Sequence, residues 1–186
     1  MAIEFNLPTY LTLLRIAFIP LLAIIFYLPW GYSNVACTVI FTVAGVTDWL
    51  DGYLARKMSL ETAFGAFLDP VADKLMVAFV LVLLVQEEAS AYLAIPAAII
   101  IGREITIASL REWMAEIGQR AKVKVSQLGK WKTSAQMVAI GMLLYREDFL
   151  GLPINLMGYW LLYLAAFLTL WSMVSYLMAA ISTVHK

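Results

Sequence analysis

Two long stretches without a single charged side chain limit what this chain can fold into. No Asp, Glu, Lys or Arg occurs from Ile16 to Thr47, nor from Phe149 to Val184. Both exceed the roughly 20 apolar residues that a helix needs to cross a bilayer. Inside a bilayer only helices and closed barrels satisfy every backbone polar group. Composition agrees, since 63% of the 186 residues are hydrophobic and 14% charged, against about 25% charged in soluble domains. The reading is an all-α integral membrane protein of six transmembrane helices, at roughly 7–28, 33–55, 65–86, 89–113, 126–145 and 153–183. These form a single transmembrane domain over residues 1–186, with no room for a separate soluble one. No cleavable signal peptide is expected, because Glu4 stands where lysines would precede the first apolar run.

Rare residue types narrow the chemistry. Cys37 is the only cysteine and His185 the only histidine, next to the last residue. An intramolecular disulfide is excluded, and a zinc site or a Ser-His or Cys-His mechanism in the membrane is hard to build. Proton transfer falls to a carboxylate, a lysine or a tyrosine. Net charge is zero, but its distribution is uneven. Basic residues concentrate at Arg56-Lys57 and from Arg111 to Lys132, whereas Glu87-Glu88 and Arg146-Glu147-Asp148 are acidic on balance. The positive-inside rule then puts both termini in the cytoplasm.

Directly after the first uncharged stretch comes DWLDGYLARKMSLETAFGAFLDPVAD, from Asp48 to Asp73. Asp48 and Asp51 are three apart and Asp69 and Asp73 four apart, so on helices each pair shares a face. Gly52, Arg56, Lys57 and Gly65 between them allow a helix end, a turn and an antiparallel partner. Carboxylates crowded in this way need protons or cations. An all-oxygen set favours Mg²⁺, Mn²⁺ or Ca²⁺ over zinc or copper, and suits a two-cation site for phosphoryl transfer.

Each residue also has a plain structural reading. Asp51-Gly52 is a common turn, Asp69 before Pro70 fits an N-cap with proline at the first helical position, and Asp73 beside Lys74 fits a solvated pair. Small residues such as Gly52 and Gly65 pack membrane helices. Arg15, two turns into the first span, either snorkels to the surface or faces the acids or an anionic ligand. Four aspartates in so apolar a chain favour the functional reading, since ionisable groups are expensive in membranes.

Written as spacing, the stretch is Asp48-x₂-Asp51-Gly52-x₂-Ala55-Arg56-x₈-Gly65-x₃-Asp69-x₃-Asp73. It resembles the complete signature of the CDP-alcohol phosphotransferases. NLPTYLT (Asn6 to Thr12) with Arg15 resembles that family's entry to its first helix. GREITIASLREWMAE, GKWKTSAQM and LTLWSMVSYL, which begin at Gly102, Gly129 and Leu168, resemble its bacterial phosphatidylglycerophosphate synthases. The resemblance implies the family's six-helix fold, usually as a homodimer, in a cytoplasmic (inner) membrane with the active site facing the cytoplasm. It implies a single catalytic domain that moves the phosphatidyl group of CDP-diacylglycerol to sn-glycerol 3-phosphate, with CMP leaving. Asp48, Asp51, Asp69 and Asp73 are then the ligands of two divalent cations, Mg²⁺ or Mn²⁺, and Asp73 is also the general base. Asp51, Gly52, Arg56, Thr62 and Gly65 then contact the CDP-diacylglycerol.

A phosphorylated acceptor needs a basic pocket. Arg103 lies within an apolar helix, Arg111 stands eight residues on, and Lys130 and Lys132 open the fifth span. All four are candidates for glycerol 3-phosphate, although lysines at a cytoplasmic helix end also follow the positive-inside rule, and Glu104 and Glu112 can neutralise the arginines. The donor's acyl chains are expected between helices. Inositol phosphate, serine, choline or phosphatidylglycerol are alternative acceptors, because the aspartates read only the donor. No nucleic-acid partner is expected. A transporter using intramembrane acids is the rival class; it commonly shows inverted repeats and midplane sites, neither of which this sequence suggests.

Overall fold

In the computed structural model, the structure describes residues 6–58, 62–117 and 127–184. Six helices account for nearly all of them: α1 Leu7–Tyr27, α2 Ser33–Met58, α3 Ala63–Glu88, α4 Ala91–Glu116, α5 Gln127–Tyr145 and α6 Ile154–Val184. No strand occurs among the described residues, only an isolated bridge between Phe149 and Leu152.

Local chemistry explains where the helices begin. Asn6 caps α1 by accepting the Thr9 N–H, with proline in the first turn, where its missing N–H costs nothing. Thr62 caps α3, its Oγ1 accepting the Gly65 N–H at 3.0 Å. Asp69 is therefore not a cap and Pro70 does not open a helix. Both lie inside α3, because the threonine cap had already started the helix and proline within it forfeits only one backbone bond. α2 continues beyond Ala55 to Met58, and α4 beyond Trp113 to Glu116.

The helices pack as a closed ring of neighbours in the order α1, α2, α5, α6, α4, α3, with α3 also touching α5 across the middle. Val80, Leu81 and Leu84 of α3 meet Ala139, Ile140 and Leu143 of α5 in one core with Leu22, Phe41, Leu93 and Leu162. Among the described residues, four helices contain stretches long and apolar enough to cross a membrane, at Thr9–Tyr27, Ser33–Leu50, Ala91–Glu116 and Ile154–Met178. The outer faces are apolar as well, with Trp49, Tyr92, Trp160 and Trp171 all exposed. Such residues are unfavourable in water and at ease against lipid.

α5 and α6 make the most extensive contact, and Gly158 sits in it. A Cβ at Gly158 would stand 3.0 Å from Met142 Cβ and 3.1 Å from Leu143 Cγ. Gly158→Leu is therefore expected to destabilise the fold by about 1–3 kcal/mol through overpacking, seen as a lower melting temperature in micelles. An unchanged melting temperature would mean that the two helices do not meet there.

One end of the ring is tied by side chains. Arg146 pairs with Glu87 at 2.9 Å and stacks over Phe26, its guanidinium carbon 5.4 Å from the ring centroid. Tyr27 donates to Gln86, and Tyr159 to Glu88. Leu150 and Gly151 both have positive φ between the paired Phe149 and Leu152, a tight turn that reverses the chain between α5 and α6. The acidic stretch lies at the opposite end.

Candidate functional site

α1, α2 and α3 build an acidic site from residues one turn apart. Asp48 projects from α2, Asp69 and Asp73 from α3, and Thr12 and Arg15 from α1. Arg15 is almost completely buried, and its Nη1 lies 3.1 Å from Asp48 Oδ1 and 2.6 Å from Asp73 Oδ1. One turn earlier, Thr12 donates to Asp69 Oδ1. Spacing put Asp69 and Asp73 on one face; the third helix that meets them is tertiary information. Of the two readings of Arg15, the structure selects the one facing the acids.

The other donor-side candidates divide in two. Gly65 is buried, and a Cβ there would stand 3.1 Å from Thr62 Oγ1 and 3.5 Å from Thr9 Oγ1. A side chain at Gly65 would press on the Thr62 and Thr9 hydroxyls, so glycine lets α1 and the start of α3 approach closely here. The backbone of Asp51, Gly52 and Arg56 belongs to α2, but their side-chain positions lie outside the described residues.

Asp48 and Asp73 also wall one end of a groove of about 820 Å³. It runs between α2 and α5, past Phe41, Gly45, Met137 and Gly141, and reaches Tyr145 and Phe149. Its lining is polar at the acids and apolar beyond. From Asp48 to Thr38 the α2 wall rises about 15 Å, half of the roughly 30 Å hydrocarbon thickness. Gly45 brings the walls together, since a Cβ there would meet Met137 Cε at 2.9 Å.

A second polar cluster joins α4, α5 and α6. Arg103 is buried, pairs with Glu104 at 2.6 Å, and donates from Nη2 to Ser172 Oγ at 3.4 Å. Lys132, also buried, has its Nζ 3.7 Å from Glu104. Arg103 Nε, Lys132 Nζ and the hydroxyl of Thr169 are buried and make no hydrogen bond. Buried polar atoms are normally paired, and two cations against one carboxylate leave a positive excess that an anion would satisfy. Arg111 is exposed instead, with its charge close enough to act on Lys132. The side chain of Lys130 lies outside the described residues. Sequence reasoning missed Thr169 and Ser172; two hydroxyls on an uncharged helix carry no signal until the helix is packed.

Carboxylate oxygens are hard donors suited to a divalent cation. Among the described residues no three acidic, histidine or cysteine side chains converge tightly enough to hold one. The positive charge between Asp48 and Asp73 is instead the Arg15 guanidinium. The donor set fits such an ion in kind, and Asp51, the fourth carboxylate, lies outside the described side chains.

Comparison with known proteins decides the family. The family model described as CDP-alcohol phosphatidyltransferase matches residues 5–171. The chain belongs to this family. Among curated CDP-alcohol phosphatidyltransferase relatives, the CDP-diacylglycerol–glycerol-3-phosphate 3-phosphatidyltransferase of Haemophilus influenzae is 54% identical over 178 residues, covering 95% of this chain and 94% of the relative. Proteins of the same name from Escherichia coli K12 and Salmonella choleraesuis are 52% and 50% identical over 177 residues. Each of those alignments covers 95% of this chain and 96% of the relative.

Proposed function

We propose that this chain is a CDP-diacylglycerol–glycerol-3-phosphate 3-phosphatidyltransferase, forming phosphatidylglycerophosphate and CMP. The observation that carries the reading is the groove, acidic at one end and apolar along its body. That is the shape of a site for a lipid whose anionic head needs cations and whose acyl chains need an apolar wall. The names of the relatives support the same reaction. The buried Arg103–Lys132 cluster supports an acceptor that carries phosphate.

In this mechanism Asp48, Asp51, Asp69 and Asp73 hold two divalent cations, Mg²⁺ or Mn²⁺. Cations held there would supply positive charge against the pyrophosphate and the departing CMP. Asp73 takes the proton from the acceptor hydroxyl as its oxygen bonds to the phosphatidyl phosphorus, and the bond from that phosphorus to CMP breaks. Gly65 lets the nucleotide approach backbone, with Asp51, Gly52, Arg56 and Thr62 beside it. Arg103 and Lys132 hold the acceptor phosphate, and Arg111 and Lys130 add positive charge towards the water. Such transfer is mostly positioning and charge stabilisation.

α3 and α5 complete six spans in this reading. α5, at 19 residues, is about 28 Å long, enough for the hydrocarbon core, and both helices bury their apolar faces in the centre of the ring. Charge asymmetry then puts both termini and the acidic end in the cytoplasm, where water-soluble glycerol 3-phosphate arrives. Homodimer assembly belongs to the same reading.

The test is CMP release by purified protein in lipid-detergent micelles with CDP-diacylglycerol and Mg²⁺. Glycerol 3-phosphate, inositol phosphate, serine and phosphatidylglycerol are each supplied as the sole acceptor. Release with glycerol 3-phosphate alone, abolished by a chelator, is expected. Release with serine or phosphatidylglycerol overturns the role of the basic cluster, release with inositol phosphate overturns the choice of acceptor, and no release at all overturns the enzyme.

A further inference from the structure

We propose that Arg15 is the internal counter-cation of the acidic site, bridging Asp48 and Asp73 in the cation-free protein and displaced from them when a divalent cation binds. The inference rests on the cation role of the aspartates in the proposed function. Asp48 Oδ1 and Asp73 Oδ1 share one nitrogen, Nη1 of Arg15. They are therefore close enough that two bare carboxylates repel strongly. Arg15 itself is only 2% exposed. A guanidinium buried so deeply is stable only with its charge matched, and the two carboxylates on α2 and α3 match it.

The pairing has a direct consequence for cation binding. Arginine stays protonated in proteins, so it cannot relieve a nearby positive charge by losing a proton. A divalent cation at the same oxygens stands at ion-pair range from the guanidinium and is repelled. The two exchange. The space for the displaced side chain is present, since Arg15 lines the groove beside Asp48 and Asp73. There its planar donors face the place where the head of an anionic lipid lies. Arg15 thus keeps α1, α2 and α3 together while the site is empty, and it lowers cation affinity until the phosphates arrive to take up its charge.

Mn²⁺ binding to the full chain in micelles, without donor or acceptor, tests this by electron paramagnetic resonance. Arg15→Gln is expected to bind Mn²⁺ about tenfold or more tightly, the effect of removing one unit charge at this range in a partly screened site. Arg15→Lys, which keeps the charge, is expected to stay within a few-fold of wild type. In chelator, Arg15→Gln should melt at lower temperature than wild type, and saturating Mn²⁺ should recover the difference. Unchanged or weaker Mn²⁺ binding by Arg15→Gln overturns the proposal. If that variant does not fold without metal, recovery on adding Asp48→Asn supports it, and failure of both Mn²⁺ and Asp48→Asn to restore folding overturns it. Binding of no Mn²⁺ by either wild type or Arg15→Gln overturns the cation reading itself. Mn²⁺ binding by wild type with indistinguishable Arg15 variants removes only the role of Arg15.

Discussion

Asp69→Asn is expected to lower CMP release by about a hundredfold to a thousandfold while the protein remains inserted and folded. The substitution keeps volume and leaves an amide oxygen to accept the Thr12 hydroxyl that Asp69 now accepts, so α1 and α3 stay joined. What it removes is one negative oxygen donor of a site whose whole contribution is charge stabilisation, and losing one such preorganised group costs on the order of 10²–10³ in rate. Asp48→Asn is expected to do the same and additionally to remove one of the carboxylates that Arg15 pairs with. The check is CMP release alongside the melting temperature of each variant in micelles. Near-normal turnover by either would sink the two-cation mechanism.

The second large effect is on the acceptor. Arg103→Ala is expected to reduce kcat/KM for glycerol 3-phosphate by about a hundredfold, the scale of a buried charge-assisted contact to phosphate. The KM for CDP-diacylglycerol should move by no more than a few-fold, because the groove lies between α2 and α5 and Arg103 is on α4. Arg111→Ala should cost only a few-fold, since that side chain is exposed and outside the Arg103–Glu104 pair. Varying each substrate in turn separates these outcomes. An unchanged dependence on glycerol 3-phosphate in Arg103→Ala removes this cluster from the acceptor site.

Much of this was legible in the order of residues. Helical periodicity puts Asp69 and Asp73 on one face, the uncharged runs demand helices, and the spacing from Asp48 to Asp73 resembles one family's signature closely enough to anticipate its membership. The start of α3 was legible to within two residues, since the span expected from Gly65 begins at Ala63, and the competing cap signal at Asp69-Pro70 is not used. Arg103 was picked out as an arginine in an apolar helix. Arg111 stands eight residues on, and the packed helix leaves it exposed.

The sequence by itself determined the helices, their apolar character and the acids on their faces, because these depend on residues three or four apart. Only the tertiary structure decided that Arg15 bridges Asp48 and Asp73, that Ser172 meets Arg103 and Lys132 meets Glu104, and that α2 and α5 enclose a groove opening on the acids. Each of those contacts joins helices distant along the chain. Their relative rotation is set by how all six pack at once, and no local spacing encodes it.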